Sequence, residues 1–319
     1  MEDCMRARDA KRTGAEGTMS DLASIALGGL TLRLHSDRKV TLRGLSADYT
    51  AFRQTSQTPG NGDDVVNLYL DPDNMPPVDG MLALLETGSS WSVYTEGGNH
   101  RMVMLKPPLT PTPLWQMLIE RGSSEVVVYC GENFVRRVGG RVEIVNPVCY
   151  PLDLILMMYE LATRNGVIVH STGIELKGRG FLFPGVSGAG KSTLTRLFQN
   201  NGHAVRLSDD RIIVRELGDG PRMFGTPWLG EAGVCAAGNA PLTAILFLRQ
   251  SRTNSITQLS GKQAIEKLLP VVSVPWYDKD VLAPIMATCE AIVSKVPVYD
   301  FGFTPTDDAV AFLEKIQIA

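Results

Sequence analysis

Residues 185 to 193 read Gly-Val-Ser-Gly-Ala-Gly-Lys-Ser-Thr, and Gly185, Gly190, Lys191 and Ser192 occupy every fixed position of the pattern G-x-x-x-x-G-K-[ST]. That spacing suits the holding of a polyphosphate. With glycine at 185, 188 and 190, the backbone can wrap closely around an anion. The amides of Gly185, Val186, Ser187, Gly188, Ala189, Gly190, Lys191, Ser192 and Thr193, with the start of the following helix, then point at it. Lys191 reaches the outer phosphates as a point charge, and the Ser192 hydroxyl takes one place in a magnesium octahedron completed by waters, phosphate oxygens and carboxylate. Asp209 and Asp210 follow closely. Magnesium needs a hard oxygen ligand opposite the phosphates, and transfer to an alcohol needs an acceptor for the hydroxyl proton; two adjacent carboxylates can divide those tasks.

The elements that must position these groups are legible around them. An apolar strand over Gly180 to Phe183 precedes the loop, a helix over 192 to 200 follows it, and a strand over Ala204 to Ser208 delivers the aspartates at its carboxyl end. A helix over Leu152 to Thr163 and strands over Val167 to His170 and Ile174 to Lys177 come before. Strands at Ile212 to Glu216, Leu242 to Leu248 and Val296 to Asp300, with helices at Gly261 to Leu268, Lys279 to Ser294 and Thr306 to Ile316, come after. The run of strands ahead of the loop is not the repeated strand-helix unit of a doubly wound sheet. The expected fold is therefore α/β in the α+β sense, a mixed sheet with flanking helices over 151–319.

Residues 21–150 form short period-two runs broken by turn formers: Leu30 to Leu34, Val65 to Leu70, Trp91 to Thr95, Met102 to Leu105, Glu125 to Cys130 and Val142 to Val145. Gly97-Gly98-Asn99 reads as a hairpin turn, and Leu82 to Glu86 and Leu114 to Arg121 as short helices. This is a smaller, sheet-dominated domain without a compact catalytic constellation; its isolated Trp91, Trp115, His35 and His100 read as packing or surface. Residues 1–20 mix acids and bases, carry almost no large apolar groups, and read as a disordered tail lacking the apolar core of a targeting peptide.

Composition bounds the partners. At 319 residues and a formal charge of -3 the chain has room for two domains and no nucleic-acid-coating surface. Five dispersed cysteines without a C-x-x-C pair read as reduced thiols of a cytoplasmic protein, and four histidines far from them give no structural zinc site. The longest apolar run, Leu154 to Tyr159, is too short to span a bilayer, so no membrane is expected.

Between Val167 and Asp210 the sequence resembles the HPr kinase/phosphorylase family and its wider relatives, whose nucleotide domain is similar to that of phosphoenolpyruvate carboxykinases. The segments that carry the likeness are Val167-Ile-Val-His170-Ser171, Lys177 to Gly185, the loop, Gly202-His203 and Asp209-Asp210. The resemblance extends to about 317. It implies a phosphate-loop kinase domain in which Asp209 exchanges the acceptor's proton, Asp210 helps hold magnesium and His170 lies near Asp209. It also implies ATP and Mg2+ as cofactors, and homo-oligomers by analogy. Gly225 to Glu231 and Ala240 to Leu248 are similar to the region the wider group places after the acidic pair. The second signature of true HPr kinases is not found, so HPr itself is not the implied acceptor.

Within Gly225 to Glu231, Pro227-Trp228 offers a flat face for a base or an acceptor chain, and Glu231 a carboxylate for magnesium. Arg249 and Arg252 are candidates to neutralise a transferring phosphoryl group. Phosphorylation of a hydroxyl, on a protein, a peptide or a small molecule, is the leading expectation. A nucleotide-binding regulatory ATPase acting through a partner is the alternative, and a decarboxylating carboxykinase stands third, without an identifiable keto-acid site.

Overall fold

The computed structural model describes residues 19–37, 39–54, 64–88 and 90–318, so the tail expected over 1–20 lies, up to residue 18, outside the described residues. Strands hold 43% of the described residues and helices 21%, which makes the architecture mixed α/β with strands dominant. Two compact units divide it, one running to Ala26 and over Leu30–Glu160, the other comprising Leu27–Gly29 and Leu161–Ala319. No helix among the described residues is long and apolar enough to cross a membrane.

In the first unit the strands are β1 (Ser20–Leu27), β2 (Leu30–Ser36), β3 (Val40–Arg43), β4 (Asp64–Asp71), β5 (Leu82–Glu86), β6 (Trp91–Thr95), β7 (His100–Leu105), β8 (Trp115–Glu120), β9 (Glu125–Cys130), β10 (Val135–Val138) and β11 (Arg141–Val145), with one short helix, α1 (Ala47–Thr50). Eight of them form a sheet in the order β1-β2-β4-β9-β8-β7-β6-β5, and β10-β11-β3 form a second. The turn at Gly97-Gly98 joins β6 to β7 as an antiparallel hairpin. Alternate residues of the central strands, Leu30, Leu32 and Leu34, Val66, Leu68 and Leu70, Val126 and Val128, are fully buried. Each contributes roughly 1.5–3 kcal/mol of apolar burial.

Two expected helices are strands. Trp115–Glu120 is buried at five of six positions and pairs with β7 on one side and β9 on the other. An apolar run with both faces covered carries no period, so only the long-range pairing decides between helix and strand. Leu82–Glu86 is the outer strand beside β6, with a register shift between Ala83 and Leu85 and Leu82 exposed.

The helix α2 (Leu152–Ala162) belongs to the first unit up to Glu160, and the second unit takes over at Leu161. The second unit contains β12 (Gly166–Leu176), β13 (Arg179–Pro184), α3 (Lys191–Leu197), β14 (Ala204–Ser208), β15 (Arg211–Leu217), β16 (Gly220–Phe224), β17 (Asn239–Gln250), β18 (Ser255–Gln258), α4 (Gly261–Leu268), α5 (Lys279–Lys295), β19 (Val298–Phe303) and α6 (Asp307–Lys315). The two strands expected over 167–170 and 174–177 are one continuous strand, β12. It pairs with β15 through Gly166 to His170 and with β13 from Ser171 onward, changing neighbours between those two residues. β13 also runs parallel to β17, which closes β13, β12, β15, β16 and β17 into a ring of paired strands.

A core of Ile174, Phe181, Phe183, Leu194, Phe198, Leu246, Phe301, Phe303 and Leu313 packs α3 and α6 against this sheet. Helix starts follow local chemistry. Ser260 and Gln263 form a reciprocal capping box on α4, and the Asp278 side chain accepts the Asp280 amide hydrogen at the start of α5. Cys130, Cys149, Cys235 and Cys289 form no disulfide. Burial pushes Cys130 and Cys289 up to about 12 and Cys149 to about 11, so these three are not thiolates at neutral pH.

Candidate functional site

The phosphate loop hangs between β13 and α3, and three local features hold it. The Gly185 amide donates to the His170 carbonyl at 3.2 Å, which ties the loop's first residue to the point where β12 changes neighbours. Gly190 sits at φ +102, and a Cβ there would come within 2.9 Å of the Phe303 ring. Only glycine meets both demands, a left-handed backbone and an aromatic wall. On the far side, the Thr195 hydroxyl donates to the Lys191 carbonyl at 2.9 Å and lies 2.8 Å from the Thr172 hydroxyl, fastening α3 to β12.

Lys191 is 7% exposed and its ammonium donates to the carbonyls of Gly185 and Val186 at 2.6 and 3.1 Å. The cation therefore closes over the loop it belongs to, beside amides suited to an anion. Burial lowers its pKa below the usual lysine value, opposed by the charges of Asp210 and Glu231. Ser187, Gly188, Gly190, Lys191, Ser192 and Thr193 of the loop and helix line a cavity of about 430 Å3 together with His170, Asp209, Asp210 and Glu231. Six side chains expected to do chemistry, those of His170, Lys191, Ser192, Asp209, Asp210 and Glu231, meet there.

The two aspartates have different surroundings. Asp209 is 3% exposed, and its carboxylate accepts three backbone amide hydrogens, from Gly230 at 3.0 Å, Ala232 at 2.5 Å and Val234 at 3.1 Å. A Cβ at Gly230 would lie 2.8 Å from Asp209 Oδ2, so the loop can wrap this carboxylate only with glycine at that position. Asp210 is partly open. One carboxylate oxygen pairs with Arg211, and the other, Oδ1, faces His170 Nε2 at 3.6 Å. The aspartate that His170 meets is thus Asp210, where the resemblance implied Asp209. Burial and then the Lys191 charge lower the His170 pKa, Asp210 opposes them, and Arg211 adds a smaller push downward. His170 is held neutral at neutral pH.

Ser192 Oγ lies 3.5 Å from Glu231 Oε2. Among the described residues, no three His, Cys, Asp or Glu side chains are grouped so as to cage a metal by themselves. Magnesium that arrives with a polyphosphate needs no such cage, because one or two protein oxygens suffice alongside phosphate and water. The hydroxyl and carboxylate of Ser192 and Glu231 fit that donor set.

Gly225 to Glu231 divides in two. Trp228 is 4% exposed, its carbonyl accepts the Ser208 hydroxyl at 3.3 Å, and it does not line the cavity; the flat stacking face expected of Pro227-Trp228 is packing. Glu231 does line it. Arg249 and Arg252 are exposed and outside the lining, whereas Arg196, on α3, lines it and donates to the Glu231 carbonyl at 3.4 Å. Neither Arg196 nor Arg211 stands out in the sequence, because an arginine five residues past the loop lysine, or next to an acidic pair, is ordinary surface chemistry until the fold sets it against Glu231 or Asp210. His203 is exposed at the turn before β14, where its amide donates to the Asn201 side chain at 2.9 Å. Neither a family model nor a protein of curated function matches the sequence.

Proposed function

We propose that the second unit is a phosphate-loop phosphotransferase domain of the HPr kinase-like type, which uses ATP and magnesium to phosphorylate a hydroxyl. One observation carries the reading: in the cavity of about 430 Å3 that the loop lysine lines, the Asp210 carboxylate stands with one oxygen held by Arg211 and the other facing His170. A site that only bound or slowly hydrolysed nucleotide has less use for that second acidic group.

In this reading the loop amides and Lys191 hold the phosphates, and Arg196 offers a further positive charge at the cavity wall. Ser192 and Glu231 would hold magnesium, which supplies neutralisation of phosphate charge when bound. Asp210 Oδ1 accepts the proton of the incoming hydroxyl, while Arg211 fixes the other carboxylate oxygen. His170, whose Nε2 stands 3.6 Å from that oxygen, limits where the carboxylate can swing. Asp209 holds the loop that presents Glu231. The base role therefore moves from Asp209 to Asp210, and of the three groups expected to hold magnesium, Ser192, Asp210 and Glu231, the reading keeps Ser192 and Glu231.

Incubation with γ-labelled ATP and magnesium tests the reading, using seryl peptides, protein fractions and small alcohols as acceptors. Label on a hydroxyl acceptor that is lost in Asp210→Asn supports it. Label released only as inorganic phosphate, whatever the acceptor, overturns it in favour of a regulatory ATPase.

A further inference from the structure

A second cavity lies wholly within the first unit, and nothing in the nucleotide chemistry uses it. It has a volume of about 640 Å3, inside the range of small-molecule sites. Its floor is the face of the large sheet on which Tyr94, Met102, Met104, Leu118, Val127 and Tyr129 form an apolar cluster. The segments around Pro72 to Val78 and Thr112-Pro113 form its walls.

Gln116 breaks the apolar pattern of that face at the cavity. Gln116 on β8 stands in register between Met104 on β7 and Tyr129 on β9, where a hydrophobic side chain would continue the cluster. It is 2% exposed and lines the cavity. Its Oε1 has no hydrogen-bond partner, and its Nε2 meets only the Met104 sulfur, at 3.8 Å. An unpaired buried carbonyl costs about 1–3 kcal/mol, and a thioether is a weak acceptor for the amide hydrogens. Packing alone would favour leucine or methionine here. The amide gains its full set of bonds only from a molecule that donates to the oxygen and accepts from the nitrogen.

A carboxamide does both in one planar pair. Charge at the rim is balanced: Arg137 is paired with Asp73 at 2.6 Å, and Lys106 and Glu132 carry opposite signs. An uncharged guest therefore fits better than an ion, and Met75, Val78 and Met104 offer apolar surface for its body. We propose that this cavity binds a small, largely apolar carboxamide, with its amide group paired to that of Gln116.

The test uses three probes of one shape on the full chain: 4-phenylbutyramide, methyl 4-phenylbutyrate and 4-phenylbutyrate. Affinities come from calorimetry, and the site is read from methyl NMR of labelled methionines. The amide is expected to shift the Met75 and Met104 methyl signals and to bind at least about tenfold more tightly than the ester, the loss of one good hydrogen bond. The carboxylate is expected to bind most weakly. Gln116→Met should remove the preference for the amide. Should that variant fail to fold, Val78→Trp, at the half-buried wall, should block the amide while leaving the fold intact. Equal affinity for amide and ester in the wild type, unmoved methionine signals at saturating amide, or undiminished amide binding in folded Val78→Trp would each overturn the proposal.

Discussion

Asp209 Oδ1 accepts the amide hydrogen of Gly230 at 3.0 Å, one residue before Glu231, while a Cβ on Gly230 would stand 2.8 Å from the other carboxylate oxygen. The acid nearest the strand end is thus wrapped by the loop it anchors. Ala232 and Val234 complete the wrapping, so three otherwise orphaned amides find one acceptor. The neighbouring Asp210 is left to face the phosphate loop. Both stand in the two-residue bend between β14 and β15, and there each carboxylate has its own partners: the Gly230 to Val234 amides for Asp209, Arg211 and His170 for Asp210.

Asp209→Asn is expected to act first on stability. An asparagine offers one acceptor oxygen and a donor NH2, so at least one of the three amides would face a donor instead. The expected cost is about 1–3 kcal/mol of unfolding free energy, with faster hydrogen exchange at Gly230, Ala232 and Val234. Magnesium dependence should worsen as Glu231 loses its seat. Denaturant unfolding and amide exchange measure both. A variant of wild-type stability with transfer abolished would restore Asp209 as the proton acceptor.

Asp210→Asn should behave in the opposite way. The group is partly exposed, its shape is kept, and the asparagine oxygen can still accept from Arg211 in this half-buried pair, so stability should change by only about 1 kcal/mol. Acceptor phosphorylation should fall by roughly 10² to 10⁴, the usual scale for removal of a general base, with nucleotide binding intact. Kinetics across a magnesium titration decide the matter. Recovery at high magnesium would make Asp210 a metal ligand.

Lys191→Ala removes the cation that bridges the Gly185 and Val186 carbonyls. A charge-assisted bond to phosphate is worth about 1.5–3 kcal/mol, so nucleotide affinity should drop about 10- to 100-fold. The fold should survive, since Thr195 and Gly190 still hold the loop. Calorimetric titration with magnesium-ATP provides the measurement, and unchanged affinity would remove Lys191 from the site.

The loop, its flanking strand and helix, and the acidic pair were legible because each is local: a spacing, an apolar run, a carboxyl end. What the sequence did not give away depends on distant partners. The run Trp115-Gln-Met-Leu-Ile-Glu has no period that separates helix from strand, and β7 and β9 decide it from outside. The division of labour between Asp209 and Asp210 was equally hidden, because adjacency says nothing about which one a loop twenty residues later will wrap. Trp228 shows the same limit. Between flanking glycines it reads as a ligand platform, yet the core claims it.

His170 provides a pH test of the cluster. Burial and the Lys191 charge hold its pKa below the ordinary histidine value of about 6.5, against the pull of Asp210. Between the folded-state midpoint and 6.5 the unfolded chain therefore binds more protons at this residue than the native protein does. Stability should rise with pH through that window, and protonation below it should be unfavourable because a second positive charge would face Lys191 and Arg211. His170→Gln keeps a polar group of similar reach and cannot titrate, so it should flatten this part of the stability profile while costing less activity than Asp210→Asn. NMR titration of the imidazole, with unfolding free energies measured across the same pH range for both proteins, checks each step. A midpoint above 6.5, or stability that falls as pH rises through the window, would mean that Asp210 dominates His170 as an ion-pair partner and that the histidine is charged, not neutral, beside the acceptor.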